Sequence, residues 1–185
     1  KEKLIEIGKK GVMAMICDST NVFSEGRAGS EQDVRKSLLS IIEKKNKRVI
    51  ETSFASNVAR METVFYCAKK TNRKISLIGR SMNRIYKAAR QCGYLQNLDE
   101  PIDPRDANKV SREKIIYLCT GSQGEPMGAM NRIINDIHPD IFVETGDTII
   151  FSSKIIPGNE KKLYSLHNEI SKKGIEIITE ENAFV

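Results

Sequence analysis

The sequence predicts an α/β fold: a Rossmann-like three-layer α/β/α arrangement around a mostly parallel sheet. Apolar runs of about five residues alternate with amphipathic stretches of about ten to fifteen, which is the βαβ pattern. Right-handed crossovers turn that alternation into a parallel sheet covered by helices on both faces. The predicted strands also end alike, in Asp18-Ser19-Thr20, Ser53, Gly79-Arg80-Ser81, Thr120-Gly121-Ser122 and Ser152-Ser153. Ligands of open α/β sheets collect outside the carboxyl ends of the strands. One polar ending would be a helix cap. A whole set, with Arg60, Arg80 and Arg84 in the turns that follow, points to an anion-binding edge.

The elements follow in order. Residues 1–10 form a lysine-rich helix stopped by Gly11, and Val12 to Cys17 reads as a first strand. A glycine-bearing loop leads to Ser30, which caps a helix to about Lys45 with Val34, Leu38, Ile41 and Ile42 at helical spacing. Arg48 to Thr52 is a strand, Val58 to Lys70 a helix, Lys74 to Ile78 a strand and Met82 to Cys92 a helix stopped by Gly93. Residues 94–110, with Pro101 and Pro104, make one long irregular connection. Lys114 to Cys119 is a buried strand, followed by a polar loop and a helix from Met127 to Ile137 with Pro126 in its first turn. Thr148 to Phe151, a helix from about Glu160 to Lys173, and Ile175 to Thr179 complete the pattern.

Composition narrows the class. The chain has 185 residues, 39% hydrophobic and 29% charged, which suits one globular core. It has no apolar run long enough for a transmembrane helix, so no membrane partner is expected. The formal net charge of +6 favours a polyanionic partner, although solvated lysines at helix ends account for part of it. Cys17, Cys67, Cys92 and Cys119 lie in apolar stretches without zinc-site spacing, which suits buried free thiols in a reducing cytoplasm. His138 and His167 have no partner nearby in sequence and read as surface residues.

The richest stretch is Tyr117 to Pro126. Gly121 and Gly124 allow close approach to the loop, and their N–H groups can point at an anion beside the next helix start. Catalytic machinery is missing. No GxSxG, GxxxxGK[ST] or GxGxxG motif occurs, and Asp18, at a strand end beside hydroxyls, has no companion ligands.

Five motifs occur together and in order: Cys17 to Asn21, Phe54 to Arg60, Gly79 to Met82, Leu118 to Pro126, and Phe151-Ser152-Ser153 through Ile156 to Asn159. Together they closely resemble the bacterial ribonuclease J family, specifically the β-CASP domain inserted in its metallo-β-lactamase fold. The resemblance implies a metal-dependent ribonuclease, cutting RNA from the 5′ end, internally, or both. It implies that Asp18 bridges two divalent metal ions, zinc by type, whose bound hydroxide attacks the phosphodiester. Single-stranded RNA and its 5′ monophosphate would be held by Ser56, Asn57, Arg60, Arg80, Ser81, Gly121, Ser122, Gln123, Gly124, Ser152, Ser153 and Asn159, with arginine forks gripping phosphate oxygens. Glu62 stands near an acid of the wider β-CASP group.

The family's histidine clusters would fall before Lys1 and after Val185. Residues 1–24 then end the lactamase half, 25–179 form the β-CASP domain, and 180–185 begin the return. The fragment is expected to hold no metal and to be inactive alone, and the full-length enzyme to be a cytoplasmic homo-oligomer. Two other readings stand beside this one. They are a free-standing Rossmann-like nucleotide- or coenzyme-binding module, and an interaction domain whose strand-end hydroxyls are only caps.

Overall fold

The computed structural model describes residues 2–17, 23 and 29–185. Asp18 and the hydroxyls after it lie outside the described residues. Among the described residues five short strands form one all-parallel sheet: Val49–Thr52 (β1), Lys74–Ile78 (β2), Ile115–Cys119 (β3), Thr148–Phe151 (β4) and Glu176–Ile178 (β5), in the order β2-β3-β1-β4-β5. The central strands are rich in isoleucine because both their faces are covered, which removes any need for polar alternation. Val49, Ile116, Leu118 and Ile150 point to one face, and Ile50, Ile115, Tyr117 and Ile149 to the other.

Helix α1 spans Glu2–Lys10, α2 Glu31–Glu43, α3 Val58–Lys70 and α4 Arg80–Gln91. The last three cover the first face, with Leu38, Met61, Val64 and Met82 buried and the rings of Phe65 and Tyr86 stacked at 5.7 Å. Helices α5 (Pro104–Ala107), α6 (Ala129–Ile134) and α7 (Glu160–Lys172) lie on the second face with Met130, Ile133, Leu163 and Ile170. Ser30 closes a capping box with Asp33 at the start of α2, as its sequence position predicts.

Several expectations need correction. Residues 12–17 form no strand: Val12, Met13, Met15 and Ile16 are exposed, and no neighbouring strand among the described residues satisfies their backbone. Cys17 and Cys92 are exposed, unlike Cys67 and Cys119, because an apolar neighbourhood in sequence buries a thiol only when another element packs over it. The 94–110 connection contains α5, capped by Asp103 with Pro104 in its first turn. That connection also covers the open edge of β2, where the Ile102 N–H donates to the Ile75 carbonyl at 2.9 Å. Helix α4 starts directly on Gly79, two residues earlier than predicted. Helix α6 starts later, at Ala129, so Pro126 lies in the preceding turn, which the Gly128 N–H closes onto the Glu125 carbonyl at 2.9 Å.

At the amino edge of the sheet, fully buried Asp147 holds two cations. Arg112 donates to it at 2.7 Å, and Arg48, also over the Tyr117 ring at 5.4 Å, stands 3.5 Å away. The backbone N–H of Glu144 donates to the same carboxylate at 2.9 Å. Asp147→Ala should therefore strand the buried Arg48 guanidinium and cost about 3 kcal/mol or more in urea unfolding. A loss below about 1 kcal/mol would show that Glu144 and solvent replace the carboxylate.

Candidate functional site

The carboxyl edge of the sheet divides into two parts. Over β1 and β4 it is closed by the chain's own polar groups. Arg60, on α3, is buried and its guanidinium is fully engaged: it donates to the Glu31 carboxylate at 2.8 and 3.3 Å, and to the Ser152 carbonyl at 2.9 Å, and it also meets the Ser152 hydroxyl. Asn57 caps α3 by accepting the Arg60 N–H at 3.0 Å, and Ser56 beside it is exposed. Ser152 is buried under Arg60.

The loop after β3 is closed as well. Gln123 is buried and uses both ends of its amide: its Nε2 donates to the Lys154 carbonyl at 2.9 Å and to Ser153 Oγ at 3.2 Å. Its Oε1 accepts from the Ile156 N–H at 2.8 Å and from Asn159 Nδ2 at 3.5 Å. Two loop amides are also taken, that of Gln123 by the Glu125 carboxylate at 2.9 Å and that of Gly124 by the Gly121 carbonyl at 3.3 Å. The glycines do permit a close approach, but what approaches is the protein. A Cβ on Gly121 would lie 2.8 Å from the Met130 Cβ, and one on Gly124 2.9 Å from the Lys162 carbonyl carbon; both residues have positive φ. Ser122 Oγ is buried with no partner, next to this clamp.

Over β2, and at Thr120 where the β3 loop begins, the edge is open. Arg80 is exposed and Ser81 half-buried at the start of α4, and with Gly79 and Thr120 they line a groove of about 1150 Å³. Glu62 lies apart from both regions, exposed on α3 with Arg35 at 3.8 Å. The histidines are half-buried, not surface residues. His138 Nδ1 accepts the N–H groups of Asp140 and Ile141, and His167 packs edge-on to Phe151 at 4.4 Å. Among the described residues no three His, Cys, Asp or Glu side chains stand close enough to hold a metal, so they do not by themselves fit a metal pair. The Asp18 assignment lies outside the described residues.

A family model described as "Ribonuclease J, beta-CASP domain" matches residues 46–170, from just before β1 to within α7. The chain belongs to the ribonuclease J family. It is 39% identical to ribonuclease J of Sinorhizobium meliloti over 180 residues, covering 97% of this chain and 32% of that protein. Ribonuclease J of Corynebacterium glutamicum is 39% identical over 98% of this chain and 26% of its own length, and that of Thermus thermophilus is 33% identical over 95% and 31%. The chain thus spans about a third of the length of the curated relatives it matches.

In this ribonuclease J-family chain the sequence reading passed over Glu51. It is buried on β1 beneath Arg60, and its Oε2 accepts from Ser53 Oγ at 3.3 Å. Its sequence signal was a carboxylate in the same strand register as core-facing Val49. Burial pushes its pKa up from 4.5 to about 8, and Arg60 offsets this only in part because its fork is turned to Glu31 and Ser152. The native state therefore keeps a proton that the unfolded chain releases, so the stability Glu51 contributes is fully present below pH 4.5 and is lost as pH rises towards 8. The slope is at most about 1.4 kcal/mol per pH unit. Glu51→Gln should match the wild type in urea unfolding at pH 4.5 and be the more stable at pH 8. A wild type more stable than Glu51→Gln at both pH values would mean that Arg60 keeps Glu51 ionised.

Proposed function

We propose that the chain is the RNA-holding β-CASP part of a metal-dependent ribonuclease of the ribonuclease J type, acting on single-stranded RNA with a 5′ monophosphate. The observation that carries this reading is the family match across β1 to β4, the strands whose carboxyl ends bear the candidate residues. In the proposed division, residues 1–24 end the lactamase half, 25–179 hold RNA, and 180–185 lead back. Two divalent metal ions would supply the attacking hydroxide in the full-length enzyme, with Asp18 as the one ligand assigned to this chain. The described residues form no metal cluster, so residues 1–185 are proposed to bind RNA without cutting it.

The candidates take different parts. Arg80 and Ser81, open to the groove, meet the 5′ phosphate directly, because a guanidinium without a protein partner can give its whole fork to phosphate oxygens. Gln123, Ser153 and Asn159 act by shaping the loop, and Arg60 by fixing Ser152. The free-standing nucleotide module is the weaker reading, since two amides of its glycine loop already have partners. A cytoplasmic location is supported by four unpaired cysteines, and no described helix is long and apolar enough to cross a membrane. The homo-oligomeric state of the full-length enzyme rests on the family resemblance.

Arg80→Ala should weaken binding of a 5′-phosphorylated RNA about tenfold, the scale of one lost charge-assisted contact, and its 5′-hydroxyl counterpart far less. Equal loss for both would make Arg80 a reader of the backbone alone. With added zinc or manganese, the chain should show no nuclease turnover. Turnover that survives repurification and disappears in Asp18→Ala would overturn the proposed inactivity.

A further inference from the structure

We propose that the groove between α4 and residues 127–140 is a sequence-independent seat for the phosphodiester backbone of single-stranded RNA, carried by Arg84, Lys87 and Arg132. This rests on the RNA-binding reading above and extends it to residues outside the strand-end motifs. The groove begins at Gly79 and Thr120 and runs along α4 as far as Gln91. Arg80, Arg84 and Lys87 are spaced i, i+4, i+7 and so share one face of α4. At 1.5 Å rise per residue they stand about 6 and about 4.5 Å apart along the axis. Arg132, on α6, faces them from the other wall.

Charge in the groove is unbalanced. Arg80, Arg84 and Lys87 have no hydrogen-bond or ion-pair partner among the described residues, whereas Arg90 on the same helix is held by Glu100 at 2.6 Å and by the Tyr86 hydroxyl at 2.9 Å. Arg132 makes one long contact, to the Ile137 carbonyl at 3.4 Å. Among the described residues the lining holds a single carboxylate, Asp140. His138 adds no charge to offset it: its Nδ1 already accepts two backbone N–H groups, and burial, then Arg132, lowers its pKa. Four cations against one anion, in a cleft with low-dielectric walls, make a focused positive potential.

The walls decide what kind of polyanion fits. Among the described residues no Phe, Tyr or Trp lines the groove; its apolar surface comes from groups such as Ala88, Met127 and Pro139. With no Phe, Tyr or Trp among the described lining residues, a nucleotide cofactor would lack a large aromatic slot for its ring, and the groove has no platform that selects among the bases of a strand. Phosphates are what the groove can hold. The open end at Thr120 joins it to Arg80 and Ser81, so one strand can occupy both places.

The test is fluorescence anisotropy on residues 1–185 with mixed-sequence single-stranded RNAs of three and ten nucleotides, each with 5′ phosphate or 5′ hydroxyl, over a salt series. Arg84→Ala/Lys87→Ala should bind the ten-nucleotide RNAs about tenfold more weakly, equally for both 5′ ends, with a salt slope shallower by about 1.4. Binding of the trinucleotides should change less than about twofold, and Lys161→Ala/Lys162→Ala, on exposed α7, should change neither. Circular dichroism should show the variant folded, since partnerless surface side chains contribute little to stability. Wild-type binding with no effect of the double substitution overturns the groove and leaves the RNA reading standing. No RNA binding by the wild type at low salt overturns both. A loss confined to 5′-phosphorylated RNA, or equal behaviour toward an Asp/Glu-rich peptide, also overturns the backbone seat.

Discussion

Arg60 is the interaction on which the carboxyl edge of the sheet depends. From α3 it reaches Glu31 on α2 and Ser152 after β4, directly above Glu51 on β1. Three elements, α2, α3 and the segment after β4, are thus joined by one guanidinium, and β1 feels its charge. Burying a cation is tolerable because Glu31 supplies the counter-charge and Ser152 takes the remaining donors. Glu51 is the consequence: with the fork turned elsewhere, the cheapest form of a fully buried carboxyl is the neutral acid.

The same constraint divides labour along the edge. Where Arg60 and the Gln123 amide close the polar groups on one another, the surface is shaped but no longer free to grip a ligand. In the groove that Gly79, Thr120 and α4 line, no such clamp exists, and the cations of α4 face solvent. Preorganised hydroxyls and amides on one side and exposed, unpartnered charge on the other fit the proposed long flexible polyanion better than a compact cofactor.

Much of the architecture was legible. Isoleucine-rich runs bounded by glycine and hydroxyl residues located the five described strands, and Ser30 marked the start of α2. The lapse at 12–17 has a clear cause, since hydrophobicity alone does not make a strand: the backbone needs a neighbour to pair with. The loop after β3 shows a subtler limit. Its glycines were read correctly as places of close approach, yet the approaching groups are Met130 and the backbone of α7. His167, too, was misplaced, because nothing local announces that Phe151 packs on it.

By itself the sequence determined the family, the alternation of strand and helix, and which side chains gather at the strand ends. Those properties are local: they follow from side-chain period, turn chemistry and motif order. Only the tertiary structure decided which of the gathered groups are free. Arg60 is occupied by Ser152, 92 residues away, and Gln123 by Ile156, 33 away, while Arg84 and Lys87 meet no acid at all among the described residues. A donor's availability depends on every acceptor that folding brings within about 3 Å, and that distance is not written in neighbouring residues.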